Sequence, residues 1–314
     1  MILVTGSNGF IGQAVCEGLR RRGASVRPVV RLSGQGEPNA MAVGDIGPDT
    51  EWRPALEGVE RVVHCAARVH VMREYAQDAL SSYRQVNVAG TRRLALQAAE
   101  MGVRRLVFVS SVKVHGEWTR PGIPFRVTDV LSPMDPYAVS KWEAEQVLQE
   151  VSGATGLEVV IVRPPLVYGP GVGANFRRLM ALVWRGAPVP LGKVNNRRSM
   201  VGMGNLVDIL SRCSVDSGAV GKAFLVSDGL DVSTPELVRA LARAMGRPAR
   251  LMPVPLKLLR FGGWLSGRGP EVERLIGSLQ VDVQYTRETL DWTPLLSVEE
   301  ELQKTVDAFL REQR

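Results

Sequence analysis

Apolar residues fall in two rhythms along the first half of the chain. Short unbroken runs at Ile2–Thr5, Ser25–Val30, Met41–Val43, Val62–Cys65, Leu106–Ser110 and Val159–Val162 have the length and β-branched content of buried strands. Between them, apolar residues recur at three- and four-residue spacing, which predicts helices over Ile11–Arg22, Tyr75–Met101 and Pro136–Ser152. Alternation of this kind predicts βαβ units around a parallel sheet, an α/β doubly wound arrangement. Arg163-Pro164-Pro165 should end the Val159–Val162 strand, because proline cannot donate to a ladder.

Beyond that point the rhythm breaks. Gly169-Pro170-Gly171 and the Pro188–Gly192 stretch mark turns, helical patterns return at Ser233–Met245 and Val298–Glu312, and Lys222–Val226 reads as one more strand able to rejoin the sheet. The pattern predicts a Rossmann-like domain of residues 1–165 plus roughly 196–227, with a smaller substrate-binding lobe from 166–195 and 228–314.

Composition narrows this picture. A 45% hydrophobic content over 314 residues supports a sizeable core. Cys16, Cys65 and Cys213 are spaced neither as a disulfide framework nor as metal knuckles, so a reducing cytoplasm and no metal are expected. No apolar run approaches about 18 residues, which leaves no expectation of secretion or a membrane span. The formal charge of +7 comes from scattered Lys and Arg without interleaved aromatics, a poor footprint for nucleic acid.

The chemistry begins at the first turn. The strand Ile2–Thr5 runs straight into Gly6-Ser7-Asn8-Gly9-Phe10-Ile11-Gly12 and then a helix. Glycines at this spacing let backbone amides approach a pyrophosphate at a helix N-terminus, so a dinucleotide is expected there, held by Gly6, Asn8, Gly9, Phe10, Ile11 and Gly12. The second strand ends Val29-Val30-Arg31 instead of in an acidic residue; a guanidinium suits a 2′-phosphate, which favours NADP(H) with NAD(H) as the alternative.

Further on, Ser110-Ser111 follows a strand, and Tyr137 and Lys141 stand four apart, on one helix face. An ammonium beside a phenol should lower the phenol's pKa from near 10 and let it exchange protons at neutral pH. Ser111 would bond the substrate oxygen that becomes or ceases to be a carbonyl.

With Gly44-Asp45-Ile46, His64–Ala67, Asn87–Thr91, Val114-His115-Gly116 and Arg163–Gly169, these motifs make the chain resemble the extended short-chain dehydrogenase/reductases over nearly its whole length. The likeness is to the epimerase/dehydratase group, and especially to bacterial UDP-glucose 4-epimerase-like proteins and UDP-N-acetyl-6-deoxyhexosamine 4-keto-reductases. The resemblance implies that Ser111, Tyr137 and Lys141 are catalytic, with Lys141 also on the nicotinamide ribose. It implies cofactor contacts from Asp45, Ile46, Cys65, Ala66, Ala67, Asn87, Ser110 and Pro164 as well. Asn175, Phe176 and Arg198 would hold a nucleotide sugar, and Tyr75–Met101 and Pro136–Ser152 would pair with their copies in a homodimer.

Ser111 is followed by Val112-Lys113 where dehydratases of the group carry Asp-Glu, which disfavours dehydration. His115 stands where a tyrosine is usual, and Leu166 where a polar residue often sits. These departures, with Arg31, favour reduction of the 4-keto group of a UDP-linked 6-deoxyhexosamine over UDP-glucose/galactose 4-epimerisation with tightly bound NAD. A non-catalytic dinucleotide-binding protein is the reading from another class; the intact Ser, Tyr and Lys speak against it.

Overall fold

The computed structural model describes residues 1–34, 37, 39–69 and 79–313. In chain order, β1 (Ile2–Thr5), α1 (Phe10–Arg21), β2 (Val26–Val30), β3 (Met41–Ala42), α2 (Arg53–Leu56) and β4 (Arg61–His64) lead to α3 (Ala79–Tyr83). A π-helical turn, Arg84–Ala89, joins α3 to α4 (Gly90–Glu100), followed by β5 (Arg105–Val109), α5 (Pro136–Thr155) and β6 (Glu158–Arg163). The rest comprises β7 (Leu166–Tyr168), α6 (Ala174–Trp184), β8 (Met200–Gly202), α7 (Met203–Val215) and β9 (Ala223–Leu225). Then come α8 (Thr234–Ala244), α9 (Leu256–Leu265), α10 (Gly269–Ile276), α11 (Gln284–Leu290) and α12 (Val298–Glu312).

Seven strands form one parallel sheet in the order β3-β2-β1-β4-β5-β6-β9. The runs of buried residues in β1, β5 and β6 reflect helices on both faces, which is why these strands read as continuous apolar segments. On one face Val4, Val63 and Val107 pack against Val15 and Leu19 of α1 and Leu206 and Leu210 of α7. On the other, Leu3, Val62 and Leu106 meet Leu94 of α4, Leu148 of α5 and Trp52. The chain reverses direction across the sheet between β1 and β4, so their C-terminal ends open a crevice, the place where doubly wound folds take ligands.

Core residues of a separate cluster come from α6, α8 and α12, among them Phe176, Met180, Leu241, Leu302 and Val306. The short sheet β7-β8 connects the two regions.

Periodicity resolves these elements only in part. The segment expected as one helix over Tyr75–Met101 is, from Ala79 onward, two α-helices joined by the π-helical turn; positions 75–78 lie outside the described residues. The π-helical turn shifts the helical phase partway along the segment, which a reading for one continuous period does not resolve. The sequence pattern does not mark β7 and β8, strands of only three residues each, nor the helices α2, α6, α7, α9, α10 and α11. Lys222–Val226 does rejoin the sheet, as β9 beside β6.

Candidate active site

The turn after β1 is built by close approach. Gly6 has φ of +63°, and a Cβ there would lie 2.9 Å from the Ala66 Cα; a Cβ on Gly12 would lie 2.1 Å from the Gly6 carbonyl oxygen. Gly9 begins α1 without a side-chain cap and with no acidic residue in the first turn, leaving the helix's amide end open to an anion. Asn8 is exposed at this end, whereas Phe10 and Ile11 are half-buried and pack against the core. Ser7 secures the turn to β2 through its amide and hydroxyl, both donating to the Val29 carbonyl at 3.1 and 3.0 Å. This cradle fits a dinucleotide diphosphate: the glycines clear the space and the uncapped amides supply donors.

The end of β4 forms its neighbouring wall. Thr5 Oγ1 accepts from the Ala66 amide at 3.1 Å and pairs with His64 Nδ1 at 2.6 Å, while His64 Nε2 meets Thr91 Oγ1 at 3.0 Å. Burial and the Lys141 charge pull His64 down to about 3, so it stays neutral as a spacer between β1, β4 and α4. Burial pushes the Cys65 thiol up to about 12, the behaviour of a packed thiol and not a reactive one. Ala66 and Ala67 follow as small half-buried residues.

Arg31 and Asp45 face each other at 3.7 Å with both side chains largely exposed. Ile46 packs so closely on Gly90 that a Cβ there would come within 2.5 Å of it.

Ser111 sits just past β5 and caps a short 3₁₀ turn, its Oγ accepting from the Lys113 amide at 3.2 Å. The Lys113 ammonium reaches across to the carboxylate of Asp135. Asp135 is the N-cap of α5, accepting from the Ala138 amide at 2.7 Å with Pro136 at the first helical position, so Tyr137 emerges in the first turn. One ion pair therefore links the Ser111 turn to the start of the Tyr137 helix. The Tyr83 ring meets the Tyr137 ring edge-on at 6.2 Å.

Lys141 lies one helical turn further along, almost wholly buried, its ammonium 3.9 Å above the Phe108 ring. The expected acidic phenol is not what this protein holds. Burial, then the Asp135 carboxylate and Tyr83, push Tyr137 above its ordinary value, and burial draws Lys141 down to about 7 against the opposing pull of Glu145. Desolvation of the Tyr137 phenol dominates, and the Lys141 ammonium is directed at the Phe108 ring.

Behind these groups runs a buried network. Glu145, four residues past Lys141 on the same face of α5, accepts from Ser110 Oγ at 2.5 Å and from Arg163 at 2.6 and 3.1 Å. The Ser110 hydroxyl, expected to serve the cofactor, is thus committed to Glu145. Arg163 also donates to His115 Nε2 at 3.0 Å, which leaves the proton on Nδ1, and His115 stacks on Phe125. Burial, then Arg163, lowers His115 to about 4. Asn87, on the π-helical turn, bonds the Arg68 backbone in both directions and Ser140 at 2.9 Å, so it braces the wall below Tyr137. The Pro164 carbonyl accepts the Val112 amide at 2.9 Å, holding the Ser111 turn.

The second lobe treats its candidates differently. Asn175 is exposed in the first turn of α6, and Phe176 is core, stacked on Tyr168 at 5.7 Å. Arg198, expected on a diphosphate, uses Nη1 for the carbonyls of Arg274 and Gly277 at 2.7 and 3.0 Å, ending α10. The open carbonyls of a helix C-terminus attract a cation, and this bond is invisible until α10 is placed. The network of Glu145, Arg163 and His115 was also missed, although the spacing Tyr137, Lys141, Glu145 on one helix face was a usable signal. Among the described residues, no group of acidic, His and Cys side chains could hold a metal ion, and no helix is long and apolar enough to cross a membrane.

A glycine cradle at the switch point of a parallel sheet, with a serine turn and a Tyr-x-x-x-Lys helix beside it, defines a dinucleotide-dependent enzyme of the extended short-chain dehydrogenase/reductase type. Residues 2–224 match the model of the NAD dependent epimerase/dehydratase family, and the chain belongs to it. It is 44% identical to the UDP-glucose 4-epimerase of Vibrio cholerae over 99% of this chain and 95% of that protein. Among solved structures, MoeE5 in complex with UDP-glucose and NAD superposes with a TM-score of 0.78 at 26% identity, covering 100% of this chain and 99% of that one. The UDP-glucuronic acid 4-epimerase of Bacillus cereus in complex with NAD shares the fold, with a TM-score of 0.80 at 18% identity and coverage of 100% and 99%.

Proposed function

We propose that this enzyme is a UDP-sugar 4-epimerase that keeps its nicotinamide cofactor bound through the cycle. The observation that carries the reading is the meeting of the Ser111 turn and the Tyr137 helix beside the glycine cradle, tied by Lys113 and Asp135. The UDP-sugar is taken from the full-length likeness to a UDP-glucose 4-epimerase.

Gly6, Gly9 and Gly12 would hold the cofactor diphosphate, with Ala66 and Ala67 beside it. When bound, the cofactor supplies an acceptor and donor for hydride at the sugar carbon. Ser111 Oγ bonds the C4 oxygen and fixes its distance from Tyr137. Once ionised, Tyr137 would be a strong base in this buried setting: it would take the C4 hydroxyl proton as hydride passes from C4 to the bound cofactor, and the phenol so formed would return that proton when hydride comes back to the other face of the keto sugar. Burial draws Lys141 down to about 7 in a dry site, so its charge, and with it the proton affinity of Tyr137, would respond to what binds beside it. Water exclusion by the packed wall of Phe108, Asn87 and Ser140 strengthens these interactions.

A second reading, net reduction of a UDP-linked 4-keto-6-deoxyhexosamine by NADP(H), is favoured by Arg31, an exposed guanidinium where an acidic residue would serve a free ribose 2′-hydroxyl. The enzyme is further proposed to act as a cytoplasmic homodimer through α4 and α5.

Incubation with UDP-galactose, without added reductant, should yield UDP-glucose. Loss of NADPH in equal amount to a 4-keto-6-deoxy UDP-sugar, with no interconversion of UDP-galactose, would instead establish the reductase.

A further inference from the structure

On the second lobe, α9 turns its apolar side outward. Leu259 and Gly263 face the protein, Leu259 packing against the lobe core and Gly263 so close to Val272 of α10 that a Cβ there would come within 2.7 Å. The opposite side exposes Leu258 and Phe261 at 59%, Leu265 at 72% and Trp264 at 73%. Four large apolar side chains on one short helix form a contiguous patch of the kind that soluble proteins keep only for contact with something. Phe261 and Trp264 touch, with ring centroids 6.1 Å apart, so the patch is aromatic at its centre.

Charge decides what that something is. Positions 247–276 carry six basic residues against two acidic, a surplus of four out of the chain's +7. Lys257 and Arg260 lie on α9 itself and Arg268 just beyond its end, all three exposed. Arg260 pairs with Glu273 of α10 at 2.8 Å, across the contact between the two helices. An outward aromatic and leucine face with a basic rim matches an interfacial helix, which buries its apolar side at the acyl boundary while its cations meet lipid phosphates. At ten residues α9 is about 15 Å long, half of what crossing a bilayer requires, so it lies in the plane.

We infer that the α9 face, centred on Phe261 and Trp264 with Lys257, Arg260 and Arg268 at its rim, docks the enzyme on an anionic lipid surface. The second lobe would then lie against the membrane, with the sheet and its catalytic cleft carried above it.

The test is co-sedimentation of the full chain with vesicles of phosphatidylcholine alone and of phosphatidylcholine with phosphatidylglycerol at about 30%. Binding should be confined to the anionic vesicles and should weaken as salt rises from 50 to about 300 mM. The double variant Phe261→Ser/Trp264→Ser should bind at least about tenfold more weakly while turnover of a soluble UDP-sugar is unchanged, which shows that the variant is folded. Light scattering without lipid completes it: the same mass for parent and variant is expected. Equal binding of parent and variant, or a smaller oligomer for the variant, would overturn the inference, the latter by showing that a second copy covers the face. Because readout is vesicle binding, the inference stands or falls apart from the sugar chemistry.

Discussion

Two walls of this molecule bury ionisable groups and neutralise them in different ways. Behind Tyr137 and Lys141 on α5, Glu145 is met by Arg163, and the remaining lone pairs and protons are taken up by Ser110 and His115. At the junction between the sheet and the second lobe, Asp228 is held by uncharged donors: the Gly202 amide, Asn205 at 2.8 Å and the Tyr168 hydroxyl at 2.7 Å. Glu301 lies beside them with its Oε1 unpartnered among the described residues. Burial raises both junction carboxylates above their ordinary range. A formal cation therefore compensates the buried carboxylate at Glu145, whereas the junction carboxylates have only uncharged donors and are raised by burial.

The largest expected effect falls on the chemistry that the catalytic wall supports. Tyr137→Phe should lower turnover by roughly 10²–10⁴-fold, with cofactor binding measured by fluorescence titration nearly unchanged. Next comes the wall itself. Arg163→Met leaves Glu145 buried without its cation and should destabilise the fold by about 3–5 kcal/mol in urea titration, while Glu145→Gln in the same chain should recover much of that loss. A comparable penalty in the double variant would show that the pair does not act as a unit.

The smallest effect has opposite signs in the two walls. His64 and His115 are held neutral when folded, so below 6.5 the unfolded chain binds more protons and stability falls toward the folded values of about 3 and 4. Between pH 6.5 and 5 the loss should reach up to about 2 kcal/mol for each histidine. The junction carboxylates run the other way: their contribution is full below the ordinary carboxylate pKa and is lost as pH rises through the raised value. Glu301→Gln should accordingly stabilise by about 1 kcal/mol at pH 8 and by nothing near pH 4, as read from denaturation midpoints.

The legible parts of the chain carry their signal locally. The glycine turn, the strands β1, β4, β5 and β6, and the Tyr137–Lys141 spacing each complete their pattern within about a dozen residues. Helices α8 and α12 open with Ser-x-x-Glu capping boxes at Ser233 and Ser297, which mark their starts. By contrast, α7 has Gly202 as its N-cap, and the carboxylate that bonds that amide comes from Asp228, 26 residues away in sequence. Helix α6 starts at a glycine followed by Ala174 with φ of +50°, again without a local cap. Arg198 shows the same limit at the level of a single side chain: its carbonyl partners belong to a helix some 76 positions downstream. Where the stabilising partner is remote, pattern reading has nothing to register.

The wide turn at Arg84–Ala89 means that no single helical wheel describes the stretch from Ala79 to Glu100. Its two ends are clocked independently, Tyr83 toward Tyr137 and Leu94 toward the strands. Deleting one residue there would merge the two phases. The inner end would keep its grip on the sheet and the outer end would rotate about 100°, carrying Tyr83 off its neighbour. Thus one extra peptide unit aims two faces of one rod at two separate tasks.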